Sequence, residues 1–145
     1  MDLKEFNNLS NQILSDDSLT EQQKEEKIIQ FVDLIRFIKC YNSSINTSEC
    51  KFRGKINVIV DGGKEKGILF CDLNNLHSRI TYKQLVSEAK KNHGRAKELW
   101  LVFVRERETI DARQALEFIQ QENMNYFFDK LFLFDFFREK IYSLN

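Results

Sequence analysis

Proline is absent from the 145 residues and glycine occurs only five times, so no Pro- or Gly-rich linker divides the chain. No apolar run approaches the roughly 20 residues that a membrane-spanning helix needs, and no N-terminal stretch has the layout of a signal peptide. Net charge is lacking too. The 22 Lys and Arg are matched by 22 Asp and Glu, which leaves no global positive field to hold a nucleic-acid backbone, and any such contact needs a local patch. Cysteine is scarce and odd in number. Cys40, Cys50 and Cys71 lack CxxC spacing, which suits reduced thiols better than a disulfide framework or a zinc site. These absences point to a cytoplasmic, or otherwise intracellular, protein with no membrane contact.

What is present suffices for one core: 42% of residues are hydrophobic and 12% aromatic, so a single domain is expected. Leu3, Phe6, Leu9, Ile13 and Leu14 share one face of a short amphipathic helix closed by Ser15-Asp16-Asp17-Ser18. Residues 1–19 read as an N-terminal helical appendage to an α/β domain over 20–145. Thr20 to Gln23 has capping-box spacing, and Ile28, Phe31, Val32, Ile35 and Ile38 then repeat at helical intervals. The Asn/Ser/Thr cluster from Asn42 to Ser48 reads as a loop. Farther on, Thr81 to Gln84 has the spacing of a second capping box, opening a helix with Tyr82, Leu85, Val86 and Ala89 on one face that His93-Gly94 stops. Leu99 to Val104 is almost wholly apolar, as a strand covered on both faces should be. Thr109 is a candidate cap for a helix turned inward through Ala112, Ala115, Leu116 and Ile119. Leu131 to Phe134 reads as another buried strand, and Phe137, Ile141 and Leu144 as one side of a short closing helix. Helix, hairpin, helix, strand, helix, strand implies a mixed sheet flanked by helices.

Residues Phe52 to Asn75 carry the most functional information. Ile56, Val58 and Val60 alternate, Ile68 to Cys71 is a second apolar run, and Asp61-Gly62-Gly63 between them supplies residues that tolerate positive φ. This segment resembles the central hairpin of the PD-(D/E)XK, or restriction-endonuclease-like, superfamily, in which an acid on one strand is followed by an acid-x-Lys tripeptide on the next. Within that superfamily, the stretch from Phe52 to Leu144, about two thirds of the chain, is most similar to Mrr-type restriction endonuclease domains. Their order is hairpin, helix, a strand like Glu98 to Val104, an Ala-containing helix like Ala112 to Gln121, then an apolar strand ending in Asp, here Leu131 to Asp135. The resemblance implies a restriction-endonuclease-like fold. It aligns the family's first acid with Asn57, its second acid (Gln in many Mrr-type members) with Asp72, and its lysine with Asn74.

The candidate catalytic set is therefore Asp72, Asn57, Asn74 and Glu88, with Asp72 and Asp61 as candidate metal ligands. Metal sites of this kind need hard oxygen ligands within about 4 Å of one position. Asn57 offers one carbonyl oxygen and no charge, and Asn74 supplies no cation where the family's lysine is thought to orient the attacking water. In some relatives an essential acid or lysine has moved to the following helix, where Lys83, Gln84 and Glu88 stand here. Bland alternatives accompany each: Gln84 as a cap, Glu88 as a solvated side chain, Asp61 as a turn former. His77 and His93 lack partners at metal spacing, and DGGKEKG joins two strands without the P-loop pattern. No cofactor is expected unless the chain is an active enzyme, which would need Mg or Mn.

The best local basic patch is Lys90, Lys91, Arg95 and Lys97, which with Arg79 and Lys83 forms a candidate rim for DNA beside the hairpin. The aromatic stretches Tyr126 to Phe128 and Phe132 to Phe137 read as core rather than a base-stacking platform, but some of them exceed what a small core needs, so a protein partner or homodimer is expected through an aromatic surface. Three functions remain open at this point. One is a catalytically degenerate nuclease-fold module, nucleic-acid-associated or protein-binding, within a larger assembly. A second is an active metal-dependent endonuclease of restriction type. The third is an immunity or adaptor protein with no nucleic-acid role.

Overall fold

The computed structural model describes residues 3–53, 55–73, 79–92, 98–105 and 112–145. Helix α1 (Leu3–Leu14) leads by a short connection into α2 (Glu21–Tyr41). Thr20 caps α2 as its spacing predicts: its hydroxyl accepts from the Gln23 N–H while the Gln23 side chain accepts from the Thr20 N–H. A 3₁₀ turn (Thr47–Glu49) forms at the end of the stretch read as a loop, and a three-residue strand not expected from the sequence, β1 (Lys51–Arg53), precedes the two strands of the hairpin. The hairpin is β2 (Ile56–Asp61) and β3 (Lys64–Asp72), closed by Gly62 and Gly63 at φ of 61° and 75°. That left-handed pair gives the tight reversal a twist matching its strands.

Helix α3 (Arg79–Asn92) connects β3 to β4 (Glu98–Arg105), and α4 (Ala112–Gln121) with the single turn α5 (Met124–Phe127) connects β4 to β5 (Lys130–Asp135). Thr81 lies inside α3, so it does not open that helix. Thr109, His93 and Gly94, read as helix boundaries, fall outside the described residues. The last element, β6 (Lys140–Ser143), is a strand where the sequence suggested a closing helix. It pairs antiparallel with β5, Phe134 opposite Ile141 and Phe132 opposite Ser143. The reversal before it is built by Asp135, which accepts from the backbone N–H groups of Phe137 and Arg138 and so diverts the chain from a helix.

All six strands form one mixed sheet in the order β1-β2-β3-β4-β5-β6. Only the β3–β4 and β4–β5 pairs are parallel. Successive right-handed crossovers in one direction place their helices on the same face. That face buries Leu85 and Ala89 of α3 and Ala115, Phe118 and Ile119 of α4 against Val58, Leu69, Leu101 and Leu133. The opposite face is covered by α2, whose Leu34, Phe37 and Ile38 pack on Ile59, Ile68, Trp100, Val102 and Phe134. Leu34 and Phe37 were not on the inward face expected from the sequence. Leu116, expected inward, is 43% exposed, and Phe118 takes its place.

Candidate functional site

Strand β3 outruns its partner. The β2–β3 ladder ends at Asn57 opposite Ile68, while β3 continues to Asp72. Past that point the strand runs between α2 and α3, and the gap forms a polar hollow of about 410 Å³ lined by Glu26, Gln30, Lys55, Asp72, Gln84 and Glu88. Asp72 shares its face with Phe70 and Ile68, because side chains two apart on a strand point the same way. The hollow thus gathers Asp72 and Glu88, both expected from the sequence, with Glu26, which was not. Glu26 sits on a helix far from the hairpin in sequence, and only the packing of α2 across the sheet brings it to the end of β3. Glu88 is held on α3 as half-buried surface, 3.8 Å from the ammonium of Lys91.

Asn57 lies elsewhere. It is fully buried, opposite Phe52 of β1 on one side and Ile68 of β3 on the other. Above it, the Phe52 ring contacts Phe31 of α2 edge-on at 6.1 Å. Its amide nitrogen donates to the Ile68 carbonyl at 3.2 Å, and its Oδ1 has no hydrogen-bond partner among the described residues. Asn57 and Asp72 do share a face of the sheet. Four residues of β3 separate Ile68 from Asp72, however, which is roughly 13 Å of strand and too far for one metal ion to touch both.

Asp61 is more distant still. It pairs with Lys64 at the hairpin tip, eight residues of β3 or roughly 26 Å from Asp72, and its carboxylate lies 3.7 Å from the Lys66 ammonium. The expected sharing of a metal by Asp61 and Asp72 is therefore corrected by the register. Asn74 and His77 lie outside the described residues. Among the described residues no group of three or more His, Cys, Asp or Glu side chains could hold a metal ion. No protein-family model and no curated protein matches the chain.

Cys71, between Phe70 and Asp72, points to the opposite face and is buried; desolvation, aided by the Asp72 charge, pushes its thiol up to about 12. Such a thiol is neutral and unreactive at physiological pH. Of the basic rim, Lys83, Lys90 and Lys91 are exposed on α3. Lys83 and Lys90, seven residues apart, lie on the same side of that helix. Arg79 is the first residue of α3, with its side chain outside the description, as are Arg95 and Lys97 entirely. The aromatic C-terminal region is mostly core: Phe128, Phe132, Phe134 and Phe136 are buried, whereas Tyr126 is 79% and Phe137 60% exposed. Among the described residues no helix is long and apolar enough to cross a membrane.

Proposed function

We propose that the chain is a catalytically degenerate nuclease-fold domain, serving as a nucleic-acid-associated or protein-binding module in a larger assembly. The observation that carries this reading is the burial of Asn57. At the position the resemblance assigns to the first metal-binding acid stands a neutral amide sealed between Phe52 and Ile68 under α2. With no part of its side chain exposed, Asn57 offers neither a cation nor a hydrolytic water a surface to reach. The helix-flanked mixed sheet, with its antiparallel hairpin followed by two parallel crossovers, supports the fold half of the reading.

A second reading, an active Mg- or Mn-dependent endonuclease, draws on the hollow that collects Asp72, Glu88 and Glu26. It ranks behind the first because the three carboxylates do not form a metal-holding group.

Binding of a duplex DNA, read by fluorescence anisotropy at two salt concentrations, tests the nucleic-acid half. If the α3 rim touches phosphates, affinity falls with salt at a log-log slope of about 0.9 per phosphate, and a Lys90→Glu/Lys91→Glu variant loses it. Absence of binding at low salt assigns the module to protein partners; tight binding indifferent to both changes contradicts the rim.

A further inference from the structure

At the corner where α1, α2 and β1 meet lies a cavity of about 330 Å³, away from the hollow at the end of β3. Its apolar wall is built by Leu9 and Ile13 of α1, Leu19 of the connection, Phe31 and Leu34 of α2 and Phe52 of β1. Protein interiors are close-packed, and unfilled space deprives its lining of dispersion contacts. A concave volume of this size, in which an apolar wall meets several polar groups, has the form of a small-molecule site.

The polar groups on the rim set the charge of the ligand. Lys27 and Lys51 both line the cavity, with Asp16 as the one acid among them. Asp16 accepts from the backbone N–H and the hydroxyl of Ser18, and its charge is felt by Lys27 and Lys24, although neither ammonium is in contact with it. Lys51 is paired with Glu65 at 2.7 Å. Lys27 holds its ammonium 5.4 Å from the centre of the Phe52 ring, where the apolar wall meets the rim. Cys50 completes the lining as a half-buried thiol, which desolvation raises to about 11, so it presents a neutral wall at physiological pH.

We propose that this cavity binds a free single-chain alkyl carboxylate, its chain among Leu9, Ile13, Phe31 and Leu34 and its carboxylate on the Lys27 ammonium. An anionic head gains from the Lys27 ammonium, since Lys51 is already matched by Glu65, whereas a cationic head of equal chain length meets like charge at Lys27. The proposal does not rest on the nuclease-fold reading, since it uses none of Asn57, Asp72 and α3.

The test uses the full chain and decanoate below its micellar concentration, with N-ethylmaleimide modification of Cys50 followed by peptide mass spectrometry. Exposed Cys40 is the internal reference. Decanoate should slow Cys50 modification by about tenfold at ten times its dissociation constant, with Cys40 unaffected. Decyltrimethylammonium should give no protection. Leu9→Trp fills the cavity and Lys27→Met removes the partner of the head group while keeping an apolar stem on Phe52; each should abolish the protection. Lys27→Met carries the test alone should Leu9→Trp fail to fold by circular dichroism. Unprotected Cys50 at every decanoate concentration overturns the proposal. So does equal protection by both amphiphiles that persists in Lys27→Met, because that is the mark of non-specific surfactant association.

Discussion

Asn57 and Asp72 project from neighbouring strands onto the same face of the sheet, yet the register sets them four residues of β3 apart. Asn57 lies under α2, closed in by Phe52 and Ile68, while Asp72 opens into the polar hollow between α2 and α3. A metal site needs its oxygens to converge, and here the hairpin separates them.

Weak cation binding follows. Calorimetric titration with manganese should reveal no site tighter than about millimolar, as expected of sparse oxygen ligands. Micromolar affinity that disappears in Asp72→Ala would contradict the placement of these residues.

An acid placed at the Asn57 position should harm the fold rather than build a metal site. Asn57→Asp places a carboxyl where Asn57 is fully buried, at an expected cost of about 3 kcal/mol at neutral pH. Burial raises the pKa of the introduced group above its unfolded value, so the deficit is greatest at high pH and shrinks as pH falls through the folded-state pKa. Urea unfolding of both proteins at pH 7 and pH 5 checks this; a variant as stable as the wild type at pH 7 would show that Asn57 has access to solvent.

Asp135 should act as a structural acid. It accepts from the N–H groups of Phe137 and Arg138 and pairs with the Arg138 guanidinium at 2.9 Å. Burial by itself would raise its pKa, but the Arg138 bonds, with the Phe137 N–H, outweigh that and hold the carboxyl below the ordinary 3.8. A depressed folded-state value contributes stability that is present above the unfolded pKa and lost as pH falls through the folded one. Asp135→Ala should cost about 2 kcal/mol at pH 7 and flatten the acid limb of the stability profile. An unchanged acid limb would remove this role.

Lys66 offers a smaller effect with a built-in reporter. Its ammonium is 3.6 Å from Glu98, 3.7 Å from Asp61 and 5.2 Å from the ring centre of Trp100, the only tryptophan in the chain. Lys66→Met keeps the aliphatic stem, so denaturation followed by Trp100 fluorescence should show a loss of about 1 kcal/mol without a change in the native emission maximum. A red-shifted native spectrum would mean that Lys66 is what keeps water from the indole.

The parts of the fold that announce themselves locally were legible in the sequence. The Thr20 to Gln23 capping box, the Gly62-Gly63 reversal and the unbroken apolar run of β4 each encode their structure within a few residues. The α2 face was obscured because Ile28, Ile29, Val32 and Ile35 surround the helix with apolar residues, so periodicity does not single out Leu34 and Phe37 as the pair pressed on the sheet. Strands β1 and β6 are short edges whose pairing comes from neighbours, and a three-residue strand such as Lys51 to Arg53 has too few positions to display a period. For the site, Asp72 and Glu88 were readable from the hairpin and the helix after it. Glu26 was not, since its approach depends on how α2 crosses the sheet, and the spacing of Asn57 from Asp72 depends on a register that hydrophobic alternation leaves undetermined.

The most direct measurement is cleavage of supercoiled and linear duplex DNA by the purified chain in magnesium and in manganese, with Asp72→Ala prepared in parallel. The separation of Asn57 from Asp72 predicts no cleavage above that of the variant in either metal. Metal-dependent cleavage by the wild type that vanishes in Asp72→Ala would contradict catalytic degeneracy and establish the hollow at the end of β3 as an active site.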